Sequence, residues 1–320
     1  MDCENKAVQA PCFLFSNIQM KLNWNTSIKW LQATTLLFSA TFMAACGDDE
    51  PQWSTGNGGG SAPAEVTARM ETPRTLSDGS TVVISHDVTI NGKKVNTYEL
   101  EFDKTKLHSR WVAFRFDGIT RVKTVGRSNE PFMDDPSLSS SFYIGSNGFG
   151  WDYNRGHLCA SEDRVYNSTA NEQTFYMSNM SPQLGSFNQG YWVTLESQVQ
   201  KKGRDANFAD TLYVVKGGTI KDDQILSYIT RSNGRKVPVP KYYYMALLKV
   251  KNGVYSSIAF WMEHKEYGYS YDHKAPLSEI MKHAVTVNEL EKLTGIDFFP
   301  NLPDAAEEKI EDQKITSNWE

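Results

Sequence analysis

Apolar and polar residues alternate, or form short apolar runs, through most of the chain beyond residue 80, and this pattern predicts strands. Asn91-Gly92, between two of these runs, is typical of a two-residue hairpin turn. The predicted strands cover 82–84, 96–102, 111–116, 211–215, 242–250 and 255–262. Because turns join them more often than regular crossover helices do, we expect an α+β fold with a central, mostly antiparallel sheet.

Two segments have the period of a helix instead. Trp192, Leu195 and Val199 recur at helical spacing within 191–201, which predicts an amphipathic helix with these side chains on its core face. A second helix is expected over 286–293. Helices are therefore expected to flank the sheet.

The first 46 residues have the order of a targeting segment. Lys21 and Lys29 precede an apolar run over 30–45, which ends in small residues immediately before Cys46. This order resembles a bacterial lipoprotein signal peptide, in which Cys46 receives lipid, and Met20 is the expected natural start. We therefore expect a lipid-anchored protein of the bacterial cell envelope, on the periplasmic or surface side of the outer membrane. The alternative is an uncleaved membrane anchor.

The remaining chain divides into a tether and one domain. Residues 47–75 contain a stretch rich in Gly and Ser without apolar periodicity, and they are expected to be flexible. The domain is expected over 76–310, followed by a C-terminal tail over 311–320.

Cysteine usage agrees with this division. Cleavage before Cys46 would remove Cys3 and Cys12 and leave Cys159 as the remaining free thiol. A thiol nucleophile is one interpretation of Cys159. No cysteine-protease context surrounds it, so a small packing residue is favoured.

The charge balance argues against a pure high-affinity nucleic-acid binder. The chain has 40% hydrophobic residues, enough for a substantial core, and a net charge of −5. A pure high-affinity nucleic-acid binder is usually basic, whereas a catalytic cleft needs only local positive charge. Positive charge is one-sided in one stretch, against the single acid Asp117. The basic residues of this stretch are Lys104, Lys106, Arg110, Arg115, Arg121, Lys123 and Arg127. The alternative is an ordinary solvated face.

Chemistry-bearing residues are concentrated between 154 and 196. Asn154-Arg155-Gly156-His157 comes first, and Asn188 and Glu196 follow around the predicted helix. A neutral imidazole can accept a proton near pH 7, an arginine fork can clamp phosphoryl oxygens, and an amide oxygen is a hard ligand suited to Mg²⁺. Taken singly, each residue has an ordinary structural interpretation. His157 can be a structural histidine, Gly156 a glycine at a close backbone approach, and Asn188 an asparagine at a helix N-terminus.

Four ordered blocks then resemble the DNA/RNA non-specific endonucleases, the ββα-metal family of the Serratia nuclease and endonuclease G type. The family pattern is Asp-Arg-Gly-His, Ser-Asn-x-x-Pro-Gln, Asn-x-Gly-x-Trp and Leu-Glu. The chain has Asn-Arg-Gly-His at 154–157, Ser-Asn-Met-Ser-Pro-Gln at 178–183, Asn-Gln-Gly-Tyr-Trp at 188–192 and Leu-Glu at 195–196. The resemblance covers roughly residues 80–305 and implies a ββα-metal (His-Me finger) fold.

The resemblance also implies roles for individual residues. His157 would activate water, Arg155 and Arg127 would stabilise the phosphorane, and Asn188 would be the only direct protein ligand of Mg²⁺, with Mn²⁺ as the alternative ion. Glu196 would act through water of the ion's hydration shell. Asn154 and Asn179 would support the site. The substrates would be DNA and RNA, cut with little sequence specificity to leave 5′-phosphates.

The chain departs from the family pattern at two places. Asn154 replaces the usual Asp, and Lys216-Gly217-Gly218 replaces a frequent Thr-Gly-Pro with no evident chemical role. The first departure, with the negative net charge, motivates an alternative: a catalytically impaired relative that acts as a nucleic-acid-binding surface lipoprotein. The sequence predicts no protein partner.

Overall fold

The structure, a computed structural model, describes residues 69–302, 304–314 and 316–319. The predicted signal segment with Cys46, and residues 47–68 of the predicted tether, lie outside the described residues. Within the described part of the chain, no helix has the length and apolar character needed to cross a membrane.

Eleven strands and five α-helices make up the described fold. The strands are β1 Thr81–Ile90, β2 Lys93–Asp103, β3 His108–Phe116, β4 Tyr153–His157, β5 Met180–Leu184, β6 Thr211–Gly218, β7 Ile225–Thr230, β8 Lys236–Pro240, β9 Tyr242–Lys251, β10 Val254–Glu263 and β11 Ala284–Val285. The helices are α1 Ser168–Gln173, α2 Val193–Arg204, α3 Leu277–Met281, α4 Val287–Thr294 and α5 Asp304–Glu311.

A seven-stranded sheet in the order β1-β2-β3-β6-β9-β10-β11 forms the centre, and β4-β5 and β7-β8 form two separate hairpins. The strand pairs in all three sheets are antiparallel. The predicted α+β class with a central, mostly antiparallel sheet is therefore confirmed.

The hairpin turns follow from local backbone chemistry. Asn91 and Gly92 both have positive φ, 50° and 76°, as the predicted turn between β1 and β2 requires. Asn252 and Gly253 repeat the arrangement between β9 and β10, with φ of 50° and 74°. Both turns match the right-handed twist of their strands, so they fix the register of the two hairpins.

Both faces of the central sheet are covered. On β3, Val112 and Phe114 face the core that contains Leu195 and Val199 of α2, whereas Trp111 faces the core that contains the side chains of α4. This explains why residues 111–114 are continuously apolar and do not alternate, because a strand buried on both faces has no solvated side.

The ends of the domain differ from the expected boundaries. Glu71, expected in the flexible tether, is fully buried, and Arg69 forms a 2.7 Å ion pair with Glu99 of β2. Trp319, expected in the tail, is buried and its ring lies 5.2 Å from that of Phe208. Long-range ion pairs and one large aromatic side chain therefore extend the domain beyond both predicted limits.

Candidate active site

The β4–β5 hairpin positions two of the predicted residues. Arg155 pairs with Pro182 and His157 with Met180 in the register of the two strands. Because side chains alternate along a strand, Arg155 and His157 project from the same face. The glycine between them faces the other way, where an added Cβ would lie 2.1 Å from Gln183 Oε1.

Asn179 holds the chain immediately after His157. Its side-chain oxygen accepts from the backbone N–H of Cys159 at 2.8 Å, and its amide group donates to the carbonyls of Cys159 and Thr174 at 2.9 and 2.8 Å. Asn179 is fully buried and does not line the pocket described below. Its support of the site is therefore scaffolding, through the backbone that leaves β4.

A π-helical turn, Phe187–Trp192, leads directly into α2 and carries Asn188. The residue before this turn, Ser186, already has helical φ and ψ, so Asn188 lies inside the turn and not at an N-cap. π-helical turns often mark functional positions because they displace one residue from the regular helix. Together, β4, β5 and α2 form the expected ββα unit.

One pocket of about 540 Å³ brings the predicted residues together. Six of the seven predicted site residues in the described chain line it: Arg127, Asn154, Arg155, His157, Asn188 and Glu196. They come from the loop before β4, from β4 itself, from the π-helical turn and from α2, segments separated by up to 69 residues along the chain.

His157 is held as a neutral imidazole. Burial, with the nearby charge of Arg127, lowers its pKa to about 3. Its Nε2 atom is enclosed and has no hydrogen-bond partner among the described residues, so Nδ1 is the ring nitrogen left to meet a reactant in the pocket. A neutral histidine with one available nitrogen can act as a proton acceptor.

Two phenylalanines that the sequence analysis missed contact the side chains of Arg127, Arg155 and His157. The Arg155 guanidinium lies 3.7 Å from the ring centroid of Phe132, and that of Arg127 lies 4.9 Å from the centroid of Phe175. The His157 ring packs against both, with centroids 5.7 and 5.3 Å away. Arg155 also donates to the carbonyl of Ser146 at 2.7 Å, so its guanidinium is fixed before any ligand arrives.

Glu196 is not free in the pocket. Its Oε1 lies 3.0 Å from Nζ of Lys216, which also lies 2.9 Å from Oδ2 of Asp163. Burial raises the pKa of Glu196, and Lys216 opposes that effect. Lys216, for which the sequence shows no evident chemical role, therefore contacts a predicted site residue through its ammonium.

Four of the seven basic residues of the one-sided positive stretch form ion pairs with acidic side chains. Lys123 pairs with Glu162 at 2.7 Å, and Arg110 and Lys106 form ion pairs with Glu101 and Asp222. Arg115 pairs with Glu71 and Asp117, and Arg121 donates to backbone carbonyls. Arg127 is the member of the stretch that lines the pocket.

The pocket suits a largely hydrated divalent ion. Among residues 69–302, 304–314 and 316–319, no group of three or more His, Cys, Asp or Glu side chains could hold a metal ion. Mg²⁺ retains several waters and needs few protein ligands. The Asn188 amide oxygen with the nearby Glu196 carboxylate fits that requirement, whereas a structural zinc site would not fit here.

The sequence of this chain is similar to those of known nucleases. Mouse mitochondrial nuclease EXOG (Mus musculus) is 28% identical over 234 residues, which cover 66% of this chain and 57% of that protein. Nuclease C1 of Cunninghamella echinulata var. echinulata is 29% identical over 220 residues, 64% of this chain and 81% of that protein. This chain thus matches little more than half the length of the mouse relative.

A solved structure shares the fold. In the crystal structure of the EndoG/EndoGI complex, one chain superposes with a TM-score of 0.51 at 22% identity, over 69% of this chain and 88% of that chain. The family model described as DNA/RNA non-specific endonuclease matches residues 78–305, more than two thirds of the 320 residues. The chain belongs to the DNA/RNA non-specific endonuclease family.

Proposed function

We propose that this protein is a Mg²⁺-dependent endonuclease that hydrolyses phosphodiester bonds in DNA and RNA with little sequence specificity and leaves 5′-phosphate ends. One observation carries the proposal: a single pocket is lined by a neutral histidine, two arginines, an asparagine amide and a carboxylate. The two relatives named above are nucleases, which supports the same activity.

The chain's own residues supply the proton transfer and the phosphate contacts. Nδ1 of His157 accepts a proton from the attacking water, because Nε2 is enclosed. Arg155 and Arg127, each placed over a phenylalanine ring, donate to phosphoryl oxygens whose negative charge increases as the water attacks. No base-reading contact is required for these steps, which agrees with low sequence specificity.

The Asn188 amide oxygen would hold the ion directly, and Glu196 would hold it through an intervening water. A bound Mg²⁺ supplies positive charge at the scissile phosphate and at the leaving 3′-oxygen. Mn²⁺, with the same preference for oxygen ligands, would substitute for it.

Plasmid nicking tests the proposal. Purified protein should relax and then linearise supercoiled DNA with Mg²⁺, and EDTA should abolish the reaction. His157→Ala should reduce the rate at least ~10²-fold while retaining DNA affinity, as expected for loss of a general base. His273→Ala, at an exposed histidine, is the control. DNA binding without metal-dependent cleavage in the wild type would instead support the catalytically impaired relative.

We also propose that Cys46 carries the lipid and anchors the domain in the bacterial cell envelope. The order of charged, apolar and small residues before Cys46 supports this. Cells grown with a clickable fatty acid should label the wild-type protein and the Cys12→Ser variant but not Cys46→Ser. Equal labelling of all three proteins would contradict the assignment.

A further inference from the structure

Lys216 is the buried cation of an ion-pair network directly behind the pocket. Its ammonium contacts Asp163 and Glu196 at 2.9 and 3.0 Å, and its side chain is fully buried. The preceding β6 residues, Val214 and Val215, are buried apolar side chains. Removing a charge from water costs several kcal/mol per ion. A lysine at this position is therefore tolerated only because both carboxylates compensate it.

Asp163 is fixed independently of Lys216. Its Oδ1 accepts from Gln200 Nε2 at 2.9 Å, and its Oδ2 accepts from the backbone N–H of Ala160 at 2.9 Å. Asp163 lies in the short 3₁₀ turn Ser161–Arg164, a few residues beyond β4. Lys216 thus joins an immobile carboxylate behind β4 to the one that projects from α2.

The contact with Lys216 fixes the orientation of Glu196. Lys216 binds Oε1, which leaves Oε2 for the pocket that Glu196 lines. A carboxylate that is not held in this way would be a poorer acceptor for the water of a hydrated cation.

We propose that Lys216 is a positioning residue of the metal site, which holds the Glu196 carboxylate so that one oxygen faces the ion bound by Asn188. The proposal rests on the metal-dependent function above. Partners of this kind, which orient a group in contact with the ion's ligands, typically contribute 10–100-fold in metal affinity.

Lys216→Met tests the proposal, because methionine keeps an unbranched side chain and removes the charge. We expect Mn²⁺ affinity, measured by EPR titration without nucleic acid, to fall at least ~10-fold. The Mg²⁺ concentration for half-maximal nicking should rise in parallel. Lys249→Met, on the adjacent β9 and packed over Phe208, is the matched control and should bind Mn²⁺ as the wild type does.

A double-mutant cycle separates positioning from a general structural role. If Lys216 acts through Glu196, then Lys216→Met/Glu196→Gln should bind Mn²⁺ no more weakly than Glu196→Gln alone. Losses that add, or unchanged Mn²⁺ affinity in folded Lys216→Met, would overturn the proposal. Wild-type protein that binds no Mn²⁺ and cleaves in EDTA would instead overturn the proposed function itself.

Lys216→Met leaves two buried carboxylates without the cation that compensates their charge, and the variant can therefore fail to fold. Asp163→Asn/Lys216→Met keeps the net charge of the network at its original value, and the same loss of Mn²⁺ affinity is expected for it. Failure of both variants to fold would also overturn the proposal, because Lys216 would then be required for folding and not specifically for metal binding.

Discussion

Three cations surround His157, and their charge determines what residue 154 can do. Arg127, Lys216 and Arg155 each lower the pKa of His157, in addition to burial, while Asp163 raises it. Asn154 lines the same pocket and contributes no charge. The family's usual aspartate at this position would add one negative charge to a site with an excess of positive charge.

Asn154→Asp should therefore raise the pKa of His157 from about 3 toward its ordinary value. The acidic limb of the pH–rate profile should move upward, because the imidazole becomes protonated at higher pH. The added carboxylate should also lower the Mg²⁺ concentration that gives half the maximal rate. Nicking rates over pH and Mg²⁺ give both parameters. If neither moves, residue 154 acts only through its backbone and hydrogen bonds.

Phe132→Leu should weaken catalysis without disrupting the core. Leucine keeps apolar volume but removes the ring face 3.7 Å from the Arg155 guanidinium. Cation–π contacts contribute about 0.5–2 kcal/mol, so kcat/KM should fall roughly 2- to 30-fold. Phe142→Leu, whose ring packs against the core elsewhere, is the control. Equal activity of the two variants would show that Phe132 does not position Arg155.

The residues proposed to react or to bind the ion have a signal in the sequence, whereas the residues that contact and orient them have none. His157 and Asn188 belong to short blocks with fixed spacing, so their types and order carry the chemistry. Phe132, Phe175 and Lys216 have no such signal. They contact the site only because β4, β6 and separate loops converge in three dimensions.

At the scale of elements, Gly190 allows the π-helical turn and the segment opposite it to approach each other closely. An added Cβ at Gly190 would lie 2.5 Å from the backbone nitrogen of Ser270, and the carbonyl of Gly190 accepts from the N–H of Ala275 at 2.8 Å. Tyr271 and Lys274 of this opposite segment line the pocket. A flexible side chain could move away from the added Cβ, whereas these backbone atoms cannot.

Gly190→Ala should therefore cost stability and metal binding together. We expect the free energy of unfolding to fall by about 1–3 kcal/mol, as for overpacking of a tight site. The Mg²⁺ requirement should rise, because Asn188 lies two residues away in the same turn. Gly118→Ala is the control, since its Cβ would meet no atom within 4 Å. Urea unfolding and Mg²⁺ titration of both variants test this, and matching behaviour would refute it.

The apolar period predicts elements where burial produces such a period, and it gives no signal where polar contacts decide. The long strands of the central sheet and the helix at 286–293, seen as α4, follow from apolar patterns. β4 reads Tyr-Asn-Arg-Gly-His and has no strand period. It forms a strand because β5, more than 20 residues later, pairs with it in register.

At the scale of the whole molecule, buried histidines make the fold less stable at acidic pH. His264 accepts from the N–H of Leu184 through Nε2 at 2.8 Å, and its Nδ1 donates to the carbonyl of Pro240 at 2.8 Å. Protonation would place a second N–H against that of Leu184, at the end of β5. Burial lowers the pKa of His264, and of His108, to about 4. Their stabilisation is therefore complete above pH 6.5 and is lost as the pH falls toward 4.

The carboxyl groups of Glu291 and Glu311 have the opposite effect on the pH dependence of stability. Burial raises the pKa of Glu291 to about 7, and burial with the charge of Glu291 raises that of Glu311 to about 8. Because these folded-state values exceed the ordinary 4.5, their contribution is complete below pH 4.5 and is lost as the pH rises through 7 to 8. Between 4.5 and 6.5 the two sets partly cancel.

The melting temperature measured in EDTA should consequently pass through a broad maximum near pH 5 to 6.5 and decline on both sides. The two branches have separate origins, so separate variants should change them. The glutamine of Glu311→Gln cannot ionise, so this variant should make the alkaline decline shallower, with Glu291 maintaining the rest, and leave the acidic decline unchanged. His264→Gln, which can also accept from Leu184 and donate to Pro240, should make the acidic decline shallower and leave the alkaline one, while His108 and His157 maintain the remaining acidic decline. If either variant changes both branches equally, or neither, the pH dependence of folding does not arise from these groups.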